Sequence, residues 1–190
     1  MNQIRKILAH SKKSTLYIYN FIIRKPYYKT SNNFWVQKIP YKKIDDRLSF
    51  FISECKNKNV LHFGCTDWPI FNSKNNLHIK LANVCKSIDG FDVDKEGIEH
   101  VDNVADFLKF ISKIDATKFY ITAPNCFSKS RIKNYHVEKN EFIEVVHPDH
   151  NCWYSPYTLK NQIEKYSTLE VKMVYLLEKG KMVCCEAMRK

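Results

Sequence analysis

Glycine is scarce in this chain, with four in 190 residues. Neither Gly-x-Gly-x-x-Gly nor Gly-x-x-x-x-Gly-Lys-Ser/Thr occurs, so a dinucleotide fingerprint and a P-loop are both excluded. A Gly-x-Ser-x-Gly elbow and an ordered Ser/His/Asp set are missing too, which removes the usual signatures of a serine hydrolase. Repeats and low-complexity segments are absent. No segment reaches the roughly 20 apolar residues of a spanning helix. Leu16 to Ile23 is apolar with basic flanks, but no small-residue cleavage site follows it, so it reads as a buried or interfacial element. The seven cysteines are odd in number and scattered, without paired Cys-x-x-Cys spacing. They read as reduced thiols of a cytoplasmic protein.

What is plentiful is positive charge and apolar residue. The formal charge is +11 with 44% apolar residues, enough for a sizeable core. No acid precedes Asp45. Residues 1–43 therefore read as a basic, aromatic-rich arm and residues 44–190 as the folded domain. The arm suits an anionic neighbour, and peripheral contact with a membrane surface is the form carried forward. Tyrosines interleaved with lysines also bind nucleic acid, yet no nucleic-acid motif accompanies them, and nucleic acid is set aside as a partner.

Periodicity predicts a helix in the stretch Tyr41 to Asn57, with Ile44, Leu48, Phe51 and Ile52 on one face. A strand Asn59–Phe63 follows. A helix with Leu77, Leu81, Val84 and Cys85 on one stripe comes next, capped by Asn75 or Asn76. Ser87–Asp94 reads as a short strand ending in acids. A further helix carries Val104, Phe107, Leu108 and Ile111, capped by Asp102 or Asn103. Lys118–Asn125 is a strand ending at Pro-Asn. A histidine-bearing loop leads to a helix with Ser155 as N-cap and Pro156 at its first position. Two final strands flank a turn at Lys179-Gly180. This alternation predicts an α/β open sheet with a C-terminal β-hairpin, whose ligands sit at the carboxyl ends of its strands.

Gly64 follows the first of these strands, where the lack of a side chain lets backbone approach a ligand. Asp92 and Asp94 end the next strand, where an acid accepts from ribose hydroxyls; solvated strand-end acids are the plainer alternative. The glycine, Asp67 and Asp92 together favour an adenosyl ligand without phosphates. In the loop, His147, Asp149, His150 and Cys152 lie close in sequence. A second ligand cluster is lacking, so no metal is assigned there. His147 and His150 are candidates to deprotonate a hydroxyl acceptor, against the alternative of a structural loop in which Trp153 and Tyr154 pack on the sheet.

The blocks "VLHFGCTDWP", "LHIKLANVCKSIDGFDVD", "IEHVDNVADFLKFI", "FYITAPN" and "VVHPDHNCWYSPYTL" occur in that order between Asn59 and Lys179. Together they resemble a class I S-adenosylmethionine-dependent methyltransferase, of the small bacterial kind associated with glycan or other cell-surface biosynthesis. The resemblance implies a Rossmann-like sheet and S-adenosylmethionine as cofactor, with a small molecule or glycan precursor as acceptor. It makes Phe63, Gly64, Cys65 and Asp67 the cofactor turn, Asp92 the ribose acid, and Val93 and Asp94 neighbours of the adenine. It brings Glu99 and His100 near the transferred methyl as catalytic candidates, and Asn125 to the mouth of the site.

The chain departs from the family pattern in three places. His62 stands where the family's first strand carries an acid, and Thr66 and Trp68 replace later glycines. Between Asp94 and Ile98 a helix, a third strand, a further helix and most of the fourth strand are absent. Their loss leaves a gap beside the first strand or makes Phe119–Thr122 pair there. Two other functions remain open: a methyltransferase-like protein that binds without catalysing, and a basic protein that binds an anionic surface.

Overall fold

The structure is a computed structural model that describes residues 37–65, 74–92, 97–131 and 134–190. The arm before residue 37 and the candidates Asp67, Val93 and Asp94 lie outside the described residues. Apart from Gln37 and Lys38, everything described below belongs to the unit Ile39–Lys190.

Eight strands and four α-helices are described, giving a mixed α/β fold. β1 (Tyr41–Ile44) precedes α1 (Arg47–Cys55), β2 (Asn59–Phe63), α2 (Leu77–Ala82) and β3 (Ser87–Phe91). A 3-10 turn, Ile98–His100, leads to α3 (Val104–Ile111) and β4 (Phe119–Pro124). Then come β5 (Tyr135–Glu138), β6 (Glu141–Glu144), α4 (Pro156–Tyr166), β7 (Leu169–Leu177) and β8 (Met182–Arg189).

The described strands form three separate sheets. The main sheet has the order β1-β7-β8-β4. β1 runs parallel to β7, whereas β8 is antiparallel to both β7 and β4. β2 and β3 form a parallel pair of their own, and β5 and β6 an antiparallel hairpin. The expected single open sheet is thus divided among the described residues. Among the described residues β4 pairs with β8 and not with β2. The 3-10 turn Ile98–His100 packs against β4 instead. Three residues of 3-10 helix present no extended edge, so they cover β4 without continuing its ladder.

Helix starts follow the sequence closely. Asn76, Asn103 and Ser155 each accept from a backbone N–H one turn into the helix, at Ile79, Asp106 and Thr158. Ser155 and Thr158 complete a reciprocal capping box. One helix begins later than its periodicity predicts. Asp46 caps α1 through the Ser49 N–H, and Ile44 belongs to β1, where its side chain packs against the same cluster as Leu48. The shared apolar spacing made the strand residue look helical. The Lys179-Gly180 turn contains three consecutive positive φ values, 50° at Glu178, 58° at Lys179 and 86° at Gly180.

Two apolar clusters hold these elements together. One joins α3, α4 and β4 to the inner face of β7 and β8, with Leu108, Leu159, Ile163, Leu169 and Val183 fully buried. Phe63, at the end of β2, packs against it. The other joins Phe51 of α1 and Leu77 and Leu81 of α2 to Tyr175, Leu177 and Cys184 on the opposite face. The β2–β3 pair is therefore tied to the main sheet by side chains rather than by a shared ladder.

Candidate functional site

The carboxyl ends of β2 and β3 lie side by side. Phe63 is in register with Phe91, and the Gly64 N–H donates to the Phe91 carbonyl at 3.0 Å. Asp92, the next residue after β3, is thereby placed beside the Gly64 turn. Gly64 has φ 70°, in the left-handed region where glycine is favoured. A Cβ at Gly64 would have Gly97 N, 3.9 Å away, as its nearest neighbour, so the turn presents open backbone bordered by Gly97. Phe63 faces the core, edge-on to Phe91 and Phe107. Cys65 and His78 fill the space above Gly90, where a Cβ would come within 2.8 Å of Cys65 Sγ and 3.0 Å of His78 Cε1. His78 also stacks on His62, with their Nδ1 atoms 3.3 Å apart. Which Nδ1 donates to the other depends on the tautomers of the two rings.

Gly97 connects this turn to a second group of side chains. Its φ of 83° lets the chain fold so that the Glu99 carboxylate lies back over it. Glu99 and His100 occupy the 3-10 turn and are 7% and 9% exposed, deep burial for two polar residues. The histidine loop, about fifty residues later, returns to this point. The rings of His100 and His150 are 4.5 Å apart at 87°, and His147 lies 5.3 Å from His100 and 5.9 Å from His150. All four residues named as catalytic candidates from the sequence are thus neighbours in space.

Backbone bonds fix the approach. The Asn151 N–H donates to the Glu99 carbonyl at 2.9 Å, and its side-chain amide donates to the His100 carbonyl at 3.3 Å. The His150 N–H donates to the His147 carbonyl at 3.0 Å, which closes the loop on itself. Tyr154, 1% exposed, bridges to Asn125 and donates its hydroxyl to Gln162 Oε1 at 3.1 Å. This ties the loop's far end to the end of β4. Trp153 donates to Glu144 Oε1 at 2.8 Å and stands edge-on to His150, with the Arg131 guanidinium over its ring.

Electrostatics separate the histidines. Burial, with the positive neighbours His100, Arg131 and His147 adding to it, pushes the His150 ring down to about 4. Its ring is neutral at pH 7 and a weak base. His147 is about half exposed, with Asp149 Oδ2 3.9 Å from its Nδ1. The cysteines are all free, and burial raises the thiols of Cys126, Cys184 and Cys185, so none of these three is poised as a nucleophile.

The resemblance brings Asn125 to the mouth of the site. Asn125 is 6% exposed, donates to the Gly180 carbonyl at 2.9 Å and accepts from the Phe127 N–H at 3.1 Å. Those bonds tie the end of β4 to the β7–β8 turn. A cleft of about 320 Å³ lies elsewhere, lined by Asp45, Asp46, Arg47, Leu48, Asn75 and Glu178, and it shares no residue with the histidine group. Among the described residues no helix is long and apolar enough to cross a membrane.

Local spacing groups cation-ligating side chains only within His147–Cys152. The pairing of that loop with Glu99 and His100 depends on a long-range approach that local spacing does not record. No family model, curated protein or solved structure matches the chain.

Proposed function

We propose that the chain is a shortened class I S-adenosylmethionine-dependent methyltransferase that methylates a hydroxyl of a small molecule or glycan precursor. The observation that carries this reading is the meeting of the Gly64 turn, Asp92 and the Gly97–His100 segment at one end of the parallel β2–β3 pair. Open backbone at Gly64 and a carboxylate one strand away suit an adenosyl group with no phosphate to neutralise.

Bound S-adenosylmethionine supplies an electrophilic methyl on a sulfonium. Asp92 would accept from the ribose hydroxyls, and the Gly64 turn would hold the methionine part. His147 would take the acceptor proton as the new carbon–oxygen bond forms and the carbon–sulfur bond breaks. It is better suited than His150, whose ring is too weak a base at neutral pH. Beyond that proton, the reaction requires only in-line alignment of acceptor and methyl.

The test is titration calorimetry with S-adenosylhomocysteine, repeated on Asp92→Ala. Saturable one-site binding that the variant loses supports the reading. Absence of binding by the folded chain rejects it. The divided sheet favours a second reading, a methyltransferase-like protein that binds without turnover. Cofactor binding with no methyl incorporated into any acceptor of a glycan-precursor panel would select it. The basic arm supports a third role, peripheral contact with an anionic surface, which salt-sensitive binding to anionic vesicles would reveal.

A further inference from the structure

Glu99, His100 and His150 each offer one ligand atom, and these three atoms all lie within 4.8 Å of one another. Bonds of about 2.0–2.2 Å to a tetrahedral zinc put neighbouring ligand atoms roughly 3.5 Å apart. The group is therefore about one ångström from closing on a cation, a distance that side-chain torsions cover. Glu99 Oε1 and His100 Nε2 stand 4.0 Å apart, beyond hydrogen-bond length. His150 Nδ1 is buried without a hydrogen-bond partner among the described residues. A buried ring nitrogen left this way is costly in a purely structural loop and useful to a cation.

The backbone supports the same reading. The residue after His150, Asn151, is bonded to the carbonyls of both Glu99 and His100, so the two halves of the group are held in register by their own main chain. Gly97 supplies the room in which the Glu99 carboxylate turns. Two imidazoles and one carboxylate form a set that leaves the fourth position of a tetrahedral ion open. His147 lies within 6 Å of both rings.

We propose that Glu99, His100 and His150 bind one divalent cation of the zinc class, with an open coordination position. Such an ion would supply Lewis-acid chemistry to a hydroxyl or water bound at the open position. The site does not depend on the methyltransferase reading, since none of its three ligands belongs to the Gly64 turn or to β3.

The experiment uses the full chain, cleared of metal by a chelator and titrated with zinc in the calorimeter and with cobalt in the visible absorption spectrum, in the absence of any adenosyl compound. The expected result is one equivalent bound per chain, with the intense cobalt bands of a four-coordinate ion. His150→Ala and Glu99→Gln should each weaken binding by at least about tenfold, since even outer-shell losses at metal sites cost that much. His78→Ala, which breaks the separate His62–His78 pair, should leave the affinity unchanged. Circular dichroism establishes that each variant is folded. Failure of the folded parent chain to bind overturns the proposal, and so does affinity that survives in both His150→Ala and Glu99→Gln, which would assign the metal to the thiols. The wild-type cobalt spectrum decides the matter if a variant fails to fold: weak six-coordinate bands alone overturn it.

Discussion

A Cβ on Gly97 would lie 2.5 Å from Oε2 of Glu99, so the Glu99 carboxylate occupies the space that any other residue at position 97 would need. The carboxylate is the far end of a flexible side chain and can swing aside. The backbone cannot, because φ at Gly97 is 83°. Gly97→Ala is therefore expected to lose about 1–3 kcal/mol of stability from the strained dihedral. It should also move Glu99 away from His100. Urea denaturation checks the first effect and zinc titration the second.

On the opposite face of the sheet, Tyr120 donates to Glu54 Oε2 at 2.5 Å, and Tyr175 donates to Glu186 Oε2 at 2.8 Å. The Tyr120 bond holds the Glu54 carboxyl below its ordinary value of 4.5, with Lys118 assisting against the opposing effect of burial. A carboxyl lowered on folding contributes stability that is complete above its unfolded value and is lost as pH falls through the lowered one. Denaturation midpoints should thus decline below pH 4.5. Tyr120→Phe should flatten that decline while lowering stability at pH 7.

Leu159 is fully buried on α4, against the cluster that includes Leu108 and Leu169. Leu159→Ala should cost about 2–5 kcal/mol, the transfer loss plus a cavity. Ser155→Ala at the start of the same helix removes only a cap and should cost about 1 kcal/mol. Reversal of that order in thermal melts would contradict the packing described for α4.

Asn125→Ala distinguishes a structural role from a binding one. The variant loses two part-buried hydrogen bonds, to the Gly180 carbonyl and from the Phe127 N–H, each worth about 0.5–1.5 kcal/mol. The expected phenotype is lower stability with S-adenosylhomocysteine affinity unchanged in the folded fraction. Weaker affinity at unchanged stability would return Asn125 to the mouth of the site.

Local signals in the sequence were a good guide where the interaction is itself local. Asn76, Asn103 and Ser155 are caps because short polar side chains beside an apolar repeat reach N–H groups three residues on. The hairpin β5–β6 resembles loop in the sequence, since Tyr135, Val137 and Phe142 sit on exposed strands with no apolar face turned inward. β1 was hidden in a helical spacing, and its partner β7 lies more than 120 residues away. In the site, the chemical character of Glu99, His100, His147 and His150 was legible, but their proximity was not. It arises from the Asn151 bonds to the 3-10 turn, a tertiary contact with no periodic trace.

The interruption between β2 and β4 also sets how the molecule breathes. Among the described residues no backbone ladder links the β2–β3 pair to the four-stranded sheet, so opening the pair breaks side-chain packing and no ladder hydrogen bond described between the two. Its amides should exchange with solvent through subglobal openings, well before those of β7 and β8. The Gly64 turn and Asp92 ride on that looser part, whereas His147 and His150 are anchored through Tyr154 to the firmer one. A ligand spanning both would act as a clasp, slowing exchange in β2 and β3 far more than in the rest of the sheet.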